Sequence, residues 1–178
     1  MKRKDKEPKY KICSENDIPQ ILEICKQSYI EHYTYLWGDK GENYMNTVFT
    51  REKMLSEMTR DYSQFFLIYD EERPVGILKI NDGTSTDGTR DPAYLEIERI
   101  YFLKEAAGKG LGKFTLTMVG QLAKDANKTI IWLKAMKGGD AVKFYEKHGF
   151  VVTEETELSY PFIKDEFKGM VVMQLRIK

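Results

Sequence analysis

Cysteine and histidine are scarce in this 178-residue chain: Cys13 and Cys25 are its only thiols, and His32 and His148 its only imidazoles. Two cysteines so placed have neither the number nor the paired spacing of a disulfide framework or a zinc site, and two imidazoles are few for metal chemistry. Both thiols are expected to be reduced, packed core residues, and no metal is expected. Net charge is missing too, since Lys plus Arg and Asp plus Glu each total 28. That balance favours no nucleic acid and no anionic membrane as partner, so any basic site must be local. No apolar run approaches the roughly 20 residues of a spanning helix. The charged start, Met1 through Glu7, is not followed by the apolar stretch of a signal peptide. Repeats, linkers and low-complexity segments are also absent. The expectation is a single domain, 1–178, cytoplasmic, monomeric or homodimeric, and long enough to bury its core without staples.

What is present is a succession of short periodic segments. Residues 10–14 read as a first strand. A helix follows, capped by Asn16 or Asp17, with Pro19 in its first turn, Ile21, Leu22, Ile24 and Cys25 inward, and its end near His32. Residues 33–46 carry aromatics around Gly38 and Gly41 without clear periodicity, and Thr50 is placed to cap a second helix. Residues 64–69 and 74–81 form a hairpin about Glu71, Glu72 and Arg73, and 82–91 read as a loop. Then 94–102 alternate as a strand, 109–126 suit a helix and 129–135 are a compact apolar strand, a unit that implies a parallel pair. A short helix over 140–148 is stopped by Gly149. Strands over 151–156 and 170–177, separated by a turn near Pro161, complete the chain.

The loop Gly108-Lys109-Gly110-Leu111-Gly112-Lys113 opens a helix just after a strand. That placement gathers backbone N–H groups at the positive end of a helix, where a phosphate binds well, and glycine lets the backbone come close and take positive φ. Three phosphate-binding patterns compete. The dinucleotide fingerprint G-x-G-x-x-G fails at Lys113, and no acidic residue ends the next strand. The nucleoside-triphosphate loop G-x-x-x-x-G-K-[ST] fits at Gly112 and Lys113 but has Ala107 for its first glycine and Phe114 for its magnesium-binding hydroxyl. The third pattern, roughly Q/R-x-x-G-x-G/A, matches at Gly110 and Gly112 and departs at Ala107. A glycine-containing helix start that binds nothing is the bland alternative.

A second motif decides between them. Ala141, Phe144, Tyr145, Gly149 and Phe150 match the pattern N-x-x-A-x-x-F-Y-x-x-x-G-F, with Gly138 at the asparagine. Alone, this would read as an amphipathic helix with a glycine stop. In this order and separation the two motifs resemble those of the GNAT acetyltransferases, over most of the chain from Tyr10 and most specifically between Leu95 and Phe150. The resemblance implies an α/β (α+β) GNAT fold, a mixed, strongly twisted sheet of six to seven strands flanked by about four helices. In it the strand ending at Phe102 and the strand beginning at Thr129 splay apart. It also implies acetyl-coenzyme A as cofactor, its pantetheine on the backbone of Ile100, Tyr101 and Phe102, its pyrophosphate on the amides from Gly108 to Lys113, and further contacts from Gly138, Phe144, Tyr145 and Lys147.

Acetyl transfer from a thioester to an amine needs a deprotonated amine, a stabilised oxyanion and a proton for the leaving thiolate. By the resemblance Tyr145 is the phenol near the coenzyme sulfur. Glu96 falls where some members carry a general base, and others relay the proton through water. Glu96 and Glu98 are two apart on one strand and hence share a face, where they could equally be structural or solvated charges. A backbone N–H near Phe102 would be the oxyanion donor. The acceptor side would be built from 29–44 and 160–168, with Tyr29, Tyr33, Trp37 and Glu96 as its contacts. Aromatics among Glu31, Asp39, Glu42, Glu96 and Glu98 suit a cation. The segment 44–50 is similar to that of bacterial polyamine-type acetyltransferases, which implies a small amine or polyamine as acceptor. These aromatics could also simply cover the core. A peptide or protein amine, or a coenzyme A sensor without transfer activity, are the alternatives, the latter kept open by Ala107 and Gly138.

Overall fold

Seven segments with period-two patterns or short apolar runs pair into one mixed sheet in a computed structural model that describes residues 7–178. The charged residues 1–6 lie outside the described residues. The strands are β1 (Lys9–Ile12), β2 (Ser63–Asp70), β3 (Arg73–Thr84), β4 (Arg90–Phe102), β5 (Ile130–Met136), β6 (Val151–Glu157) and β7 (Gly169–Arg176), in the order β1-β2-β3-β4-β5-β7-β6. Only β4 and β5 run parallel; every other neighbouring pair is antiparallel.

Both faces of the sheet are covered, because consecutive residues point to opposite sides and both sets are apolar. Phe66, Ile68, Leu78, Leu95, Ile97 and Leu133 form one core layer under α4 (Leu111–Asp125) and α5 (Asp140–Lys147). Phe65, Leu67 and Ile77 form the other, under α1 (Ile18–His32), α2 (Glu42–Val48) and α3 (Arg51–Met58). Each fully buried side chain of this size stabilises the fold by about 1.5–3 kcal/mol. Local signals set the helix ends: Pro19 lies in the first turn of α1, and Thr50 Oγ1 accepts the Lys53 amide at 3.2 Å to cap α3.

The central parallel pair is short. Partners run from Tyr94 opposite Ile130 to Ile97 opposite Leu133, and beyond them β5 pairs only with β7. At the same level β4 has a bulge: Ile80 lies opposite Ile97 and Lys79 opposite Arg99, so Glu98 has no partner on β3. The extra residue reverses the alternation, putting Arg99 and Tyr101 on the face that already holds Glu96 and Glu98.

Several expectations need correction. Residues 42–48 are helical where no periodicity was legible, because α2 spans only 7 residues, too few to display a repeat. Asp39 starts it, its Oδ2 accepting the Asn43 amide at 2.8 Å. Half of the expected loop over 82–91 is strand: pairing of β3 and β4 continues to Thr84 opposite Arg90, Arg90 Nη1 donates to the Asp82 carbonyl at 2.6 Å, and the turn is confined to 85–89. With α2 there are five α-helices among the described residues, in keeping with the expected flanking by about four. Cys25 is fully buried and its thiol is pushed up to about 12 by that burial, as a core residue's should be, whereas Cys13 is only partly covered.

Candidate active site

The glycine loop is built almost wholly from backbone. Gly108 and Gly110 take φ of +74° and +72°, a region where a Cβ is strained, and Gly110 stands at the N-cap of α4, which has no side-chain cap. The first amides of α4 therefore point outward without an internal acceptor. No atom lies within 4 Å of where a Gly108 side chain would begin, whereas a Cβ on Gly112 would meet Phe144 Cζ at 3.1 Å. The helix start is thus fixed against α5 by a ring and open on the side of the loop. The Lys109 ammonium is held by Asp70 Oδ2 at 2.6 Å, leaving its backbone amide, as expected of this loop, as what it can offer an anion. Lys113 and Lys147 are exposed. Gly138, at φ +74°, turns the chain between β5 and α5 with open space about it.

Past Ile97 the backbone of β4 is bonded on the β3 side only, with Leu78, Ile77 and Gly76 opposite Ile100, Tyr101 and Phe102. Gly76 is required there, since a Cβ would stand 2.6 Å from the Phe102 ring. The other edge faces a gap, and an extended amide-bearing ligand can pair with it as a strand would. A cavity of about 580 Å³ runs through this gap, lined by residues of both faces: Ile100, Ala135 and Tyr145 from one, Tyr29, Glu96 and Tyr101 from the other. The Tyr145 ring packs at 5.5 Å from Phe150, and burial raises its pKa. Its hydroxyl has no protein partner among the described residues and is not sealed from solvent, so it is presented to the cavity.

The two carboxylates expected to act alike do not. Asn81 Nδ2 donates to both, at 2.8 Å to Glu96 Oε2 and 2.6 Å to Glu98 Oε2. Glu98 also pairs with Lys79 and, at 3.4 Å, with Arg99. Glu57, 2 % exposed, completes that network, taking Lys79 Nζ at 2.9 Å and a fork of Arg99 nitrogens at 2.6 and 3.0 Å. Burial alone would raise the Glu57 carboxyl, but Arg99 and Lys79 outweigh it and hold it below the ordinary carboxylate range. Glu96 has no salt bridge among the described residues, its side-chain partner being Asn81. Burial raises its pKa, the Asn81 bond opposing and the charge of Glu98 adding to the rise. A carboxylate with an elevated pKa and a free edge on a cavity is suited to take a proton; one locked between two cations is not.

Over this face lies an aromatic cluster. Tyr44 stacks at 4.9 Å on both Tyr29 and Trp37, Tyr33 lies 5.0 Å from Tyr29, and Trp37 Nε1 donates to the Tyr29 hydroxyl at 3.1 Å. The expected contacts Tyr29, Tyr33 and Trp37 thus meet on the same cavity as Glu96. The expected acids beside them do not: Asp39 is taken by the amides of Gly41 and Asn43, Glu31 by the Lys104 amide at 2.7 Å, and Glu42 is exposed away from the cavity. Residues 160–164 close over the cluster, Gly38 N donating to the Phe162 carbonyl at 2.8 Å and Lys164 N to the Leu36 carbonyl at 3.0 Å. Asn81, Glu57, Lys79 and Arg99 were not anticipated. A lysine and an asparagine interrupting the run Ile77, Leu78, Lys79, Ile80, Asn81 were the one visible signal, as charge in a buried strand needs partners.

Sequence comparison agrees with this geometry. Residues 22–150 match the acetyltransferase (GNAT) family. An uncharacterized N-acetyltransferase encoded beside pepI in Lactobacillus delbrueckii subsp. lactis is 25 % identical over 140 residues, 76 % of this chain and 80 % of that one. The uncharacterized N-acetyltransferase YjcF of Bacillus subtilis is 31 % identical over 108 residues, 60 % of this chain and 68 % of its own. Among solved structures, PaiA N-acetyltransferase of Thermoplasma acidophilum, in complex with coenzyme A, superposes with a TM-score of 0.75 at 17 % identity over 96 % of this chain and 99 % of that one. The chain belongs to the GNAT acetyltransferase family. That membership sets its class as an acyl-coenzyme A-dependent N-acetyltransferase.

Proposed function

We propose that this chain moves an acetyl group from acetyl-coenzyme A to a small primary amine by direct attack in a ternary complex. The carrying observation is the single cavity through the gap between β4 and β5, which joins the Tyr145 hydroxyl on one face to Glu96 and the aromatic cluster on the other. The cofactor supplies the activated acetyl thioester. Its fit rests on the open loop at Gly108 and Gly110 with the uncapped start of α4, suited to a pyrophosphate, and on the unpaired edge of Ile100, Tyr101 and Phe102, suited to amides. Leu111, Gly112 and Lys113 would offer amides. Phe144 holds the loop in place through Gly112, and Gly138 and Lys147 lie near enough in sequence to α5 to complete its rim.

Glu96 would take the first proton from the incoming ammonium, directly or through one water; as the C–N bond forms and the C–S bond breaks, Tyr145 would give its proton to the departing sulfur and take back the second proton that the new amide nitrogen sheds. A hydrogen bond from the phenol makes the thiol, of pKa about 8.5, a better leaving group, and burial, which raises the Tyr145 pKa, keeps the phenol protonated to donate it. Glu98 serves by position: it accepts from Asn81, which in turn holds Glu96 in its rotamer, and it is itself held by Lys79. Closure of 160–164 on 36–38 favours a small amine over a peptide, because a peptide needs an open groove and here the two covering segments bond to each other.

Two measurements test the reading. Acetyl-coenzyme A should raise the thermal midpoint where NAD and ATP do not. Thiol release should then appear with small amines before peptides. Midpoint shift without release from any amine, polyamine or peptide would favour a coenzyme A sensor, and release with peptides alone would favour protein acetylation.

A further inference from the structure

Taking the acetyltransferase reading as its basis, charge around the acceptor side narrows the substrate. Glu57 and Glu98 are the acidic partners of Lys79 and Arg99, two carboxylates matched by two cations, with Lys53 at the edge of that network. What remains on the cavity lining is one carboxylate, Glu96, against three cations, Lys53, Arg60 and Lys134. Lys53 reaches Glu57 only at 4.0 Å, and neither the Arg60 nor the Lys134 side chain has a hydrogen-bond or ion-pair partner among the described residues.

These cations are not placed for the cofactor's pyrophosphate. Lys53 and Arg60 belong to α3 and the turn after it, over Phe65 and Leu67, whereas the glycine loop starts α4 on the opposite face of the sheet. The backbone of Arg60 is fixed: its N–H donates to the Glu57 carbonyl at 3.3 Å and its carbonyl accepts the Ser63 amide at 3.0 Å. Lys134 stands on β5 just past its last pair with β4, on the same face as Trp132, whose backbone lies opposite Glu96. Its charge acts on the Glu96 carboxyl. One lone acid beside three cations repels a second or third ammonium and attracts an oxyanion.

We propose that the acceptor is a zwitterionic or anionic amine: one primary amine, delivered to Glu96, on a molecule that also carries a carboxylate or phosphate bound by Arg60 and Lys134. A guanidinium offers a planar fork for either oxyanion, and a charge-assisted bond of this kind is worth about a tenfold difference in affinity. A polyamine is the disfavoured acceptor.

The test compares four primary amines of matched chain length in thiol release with acetyl-coenzyme A: an amino carboxylate, its carboxamide, an amino phosphate and a diamine. The account expects kcat/KM at least tenfold higher for the carboxylate or the phosphate than for carboxamide and diamine, the better of the two identifying the oxyanion. In Arg60→Gln the advantage should shrink toward unity through KM rather than kcat, and in Arg60→Glu the diamine should overtake the carboxylate. If the wild-type protein prefers the diamine, or if the oxyanion preference survives both substitutions, the proposal is overturned while the acetyltransferase reading stands. Release from none of the four amines, in a protein that acetyl-coenzyme A still stabilises, would overturn this proposal together with the small-amine reading on which it rests.

Discussion

The two faces of the sheet meet at one gap but build their parts of the site by opposite means. On the α4 and α5 face the proposed anion cradle is made of backbone, shaped by glycines at positive φ and an uncapped helix start. On the α1–α3 face the site is made of side chains brought together from distant places: Glu57 from α3, Lys79 and Asn81 from β3, Glu96 and Arg99 from β4. Backbone geometry tolerates changes of neighbouring side chains, and the loop takes its positive-φ turns at Gly108 and Gly110 with Ala107 before them. A side-chain network does not, because removing one member strands another charge. The same contrast separates Glu96 from Glu98, identical in the sequence and two residues apart, one with a raised pKa on the cavity and one clamped by Lys79.

The largest effect that would sharpen this contrast is loss of that side-chain network. Glu57→Ala leaves Lys79 and Arg99 buried with one carboxylate between them, and should cost about 3–5 kcal/mol in chemical denaturation. Because the folded Glu57 carboxyl is held below its ordinary value, its contribution is present above the unfolded carboxylate pKa and is lost as pH falls through the folded one, so the gap between wild type and variant should narrow on acidification. Next comes Glu96→Gln, expected to lower kcat at neutral pH by about 100-fold. Its stability should move the other way. With the folded pKa raised, the benefit of the protonated acid exists at low pH and disappears as pH rises through that pKa, so the neutral amide should equal or exceed wild type in thermal midpoint at pH 7–8. A clear drop there would place Glu96 with Glu57 among the structural charges.

Tyr145→Phe should reduce kcat by roughly tenfold or more with little change in the midpoint, since the hydroxyl has no protein partner to lose; unchanged kcat across pH would leave it a core aromatic. Smallest is Gly110→Ala, which forces a Cβ to φ +72° at a cost of about 1 kcal/mol and should weaken acetyl-coenzyme A binding by about fivefold in calorimetry. If binding is unaffected, the cradle lies elsewhere.

How much of this the sequence displayed follows the same division. The glycine loop and the Phe144–Tyr145 helix are each visible in a stretch of a dozen residues, and the parallel pair follows from the order strand, helix, strand along the chain, whereas its splaying is implied by the family resemblance alone. The bulge at Glu98 is not, because it depends on β3 pairing with β4 out of register, and it is what turns Arg99 and Tyr101 toward Glu96. Nor is the fate of Glu31 and Asp39, whose charges looked available to an ammonium until the amides that take them were located. α2 escaped notice because one short helix shows no period.

The most direct test is the pH dependence of kcat/KM for thiol release in wild type and Glu96→Gln with the best acceptor. The wild-type profile should have an acid limb above the ordinary carboxylate range of about 4.3, and the limb should be missing from the variant, whose deficit shrinks as pH rises and the amine loses its proton unaided. An acid limb of equal position in both proteins, with an equal loss at every pH, would contradict the assignment of Glu96 as the base.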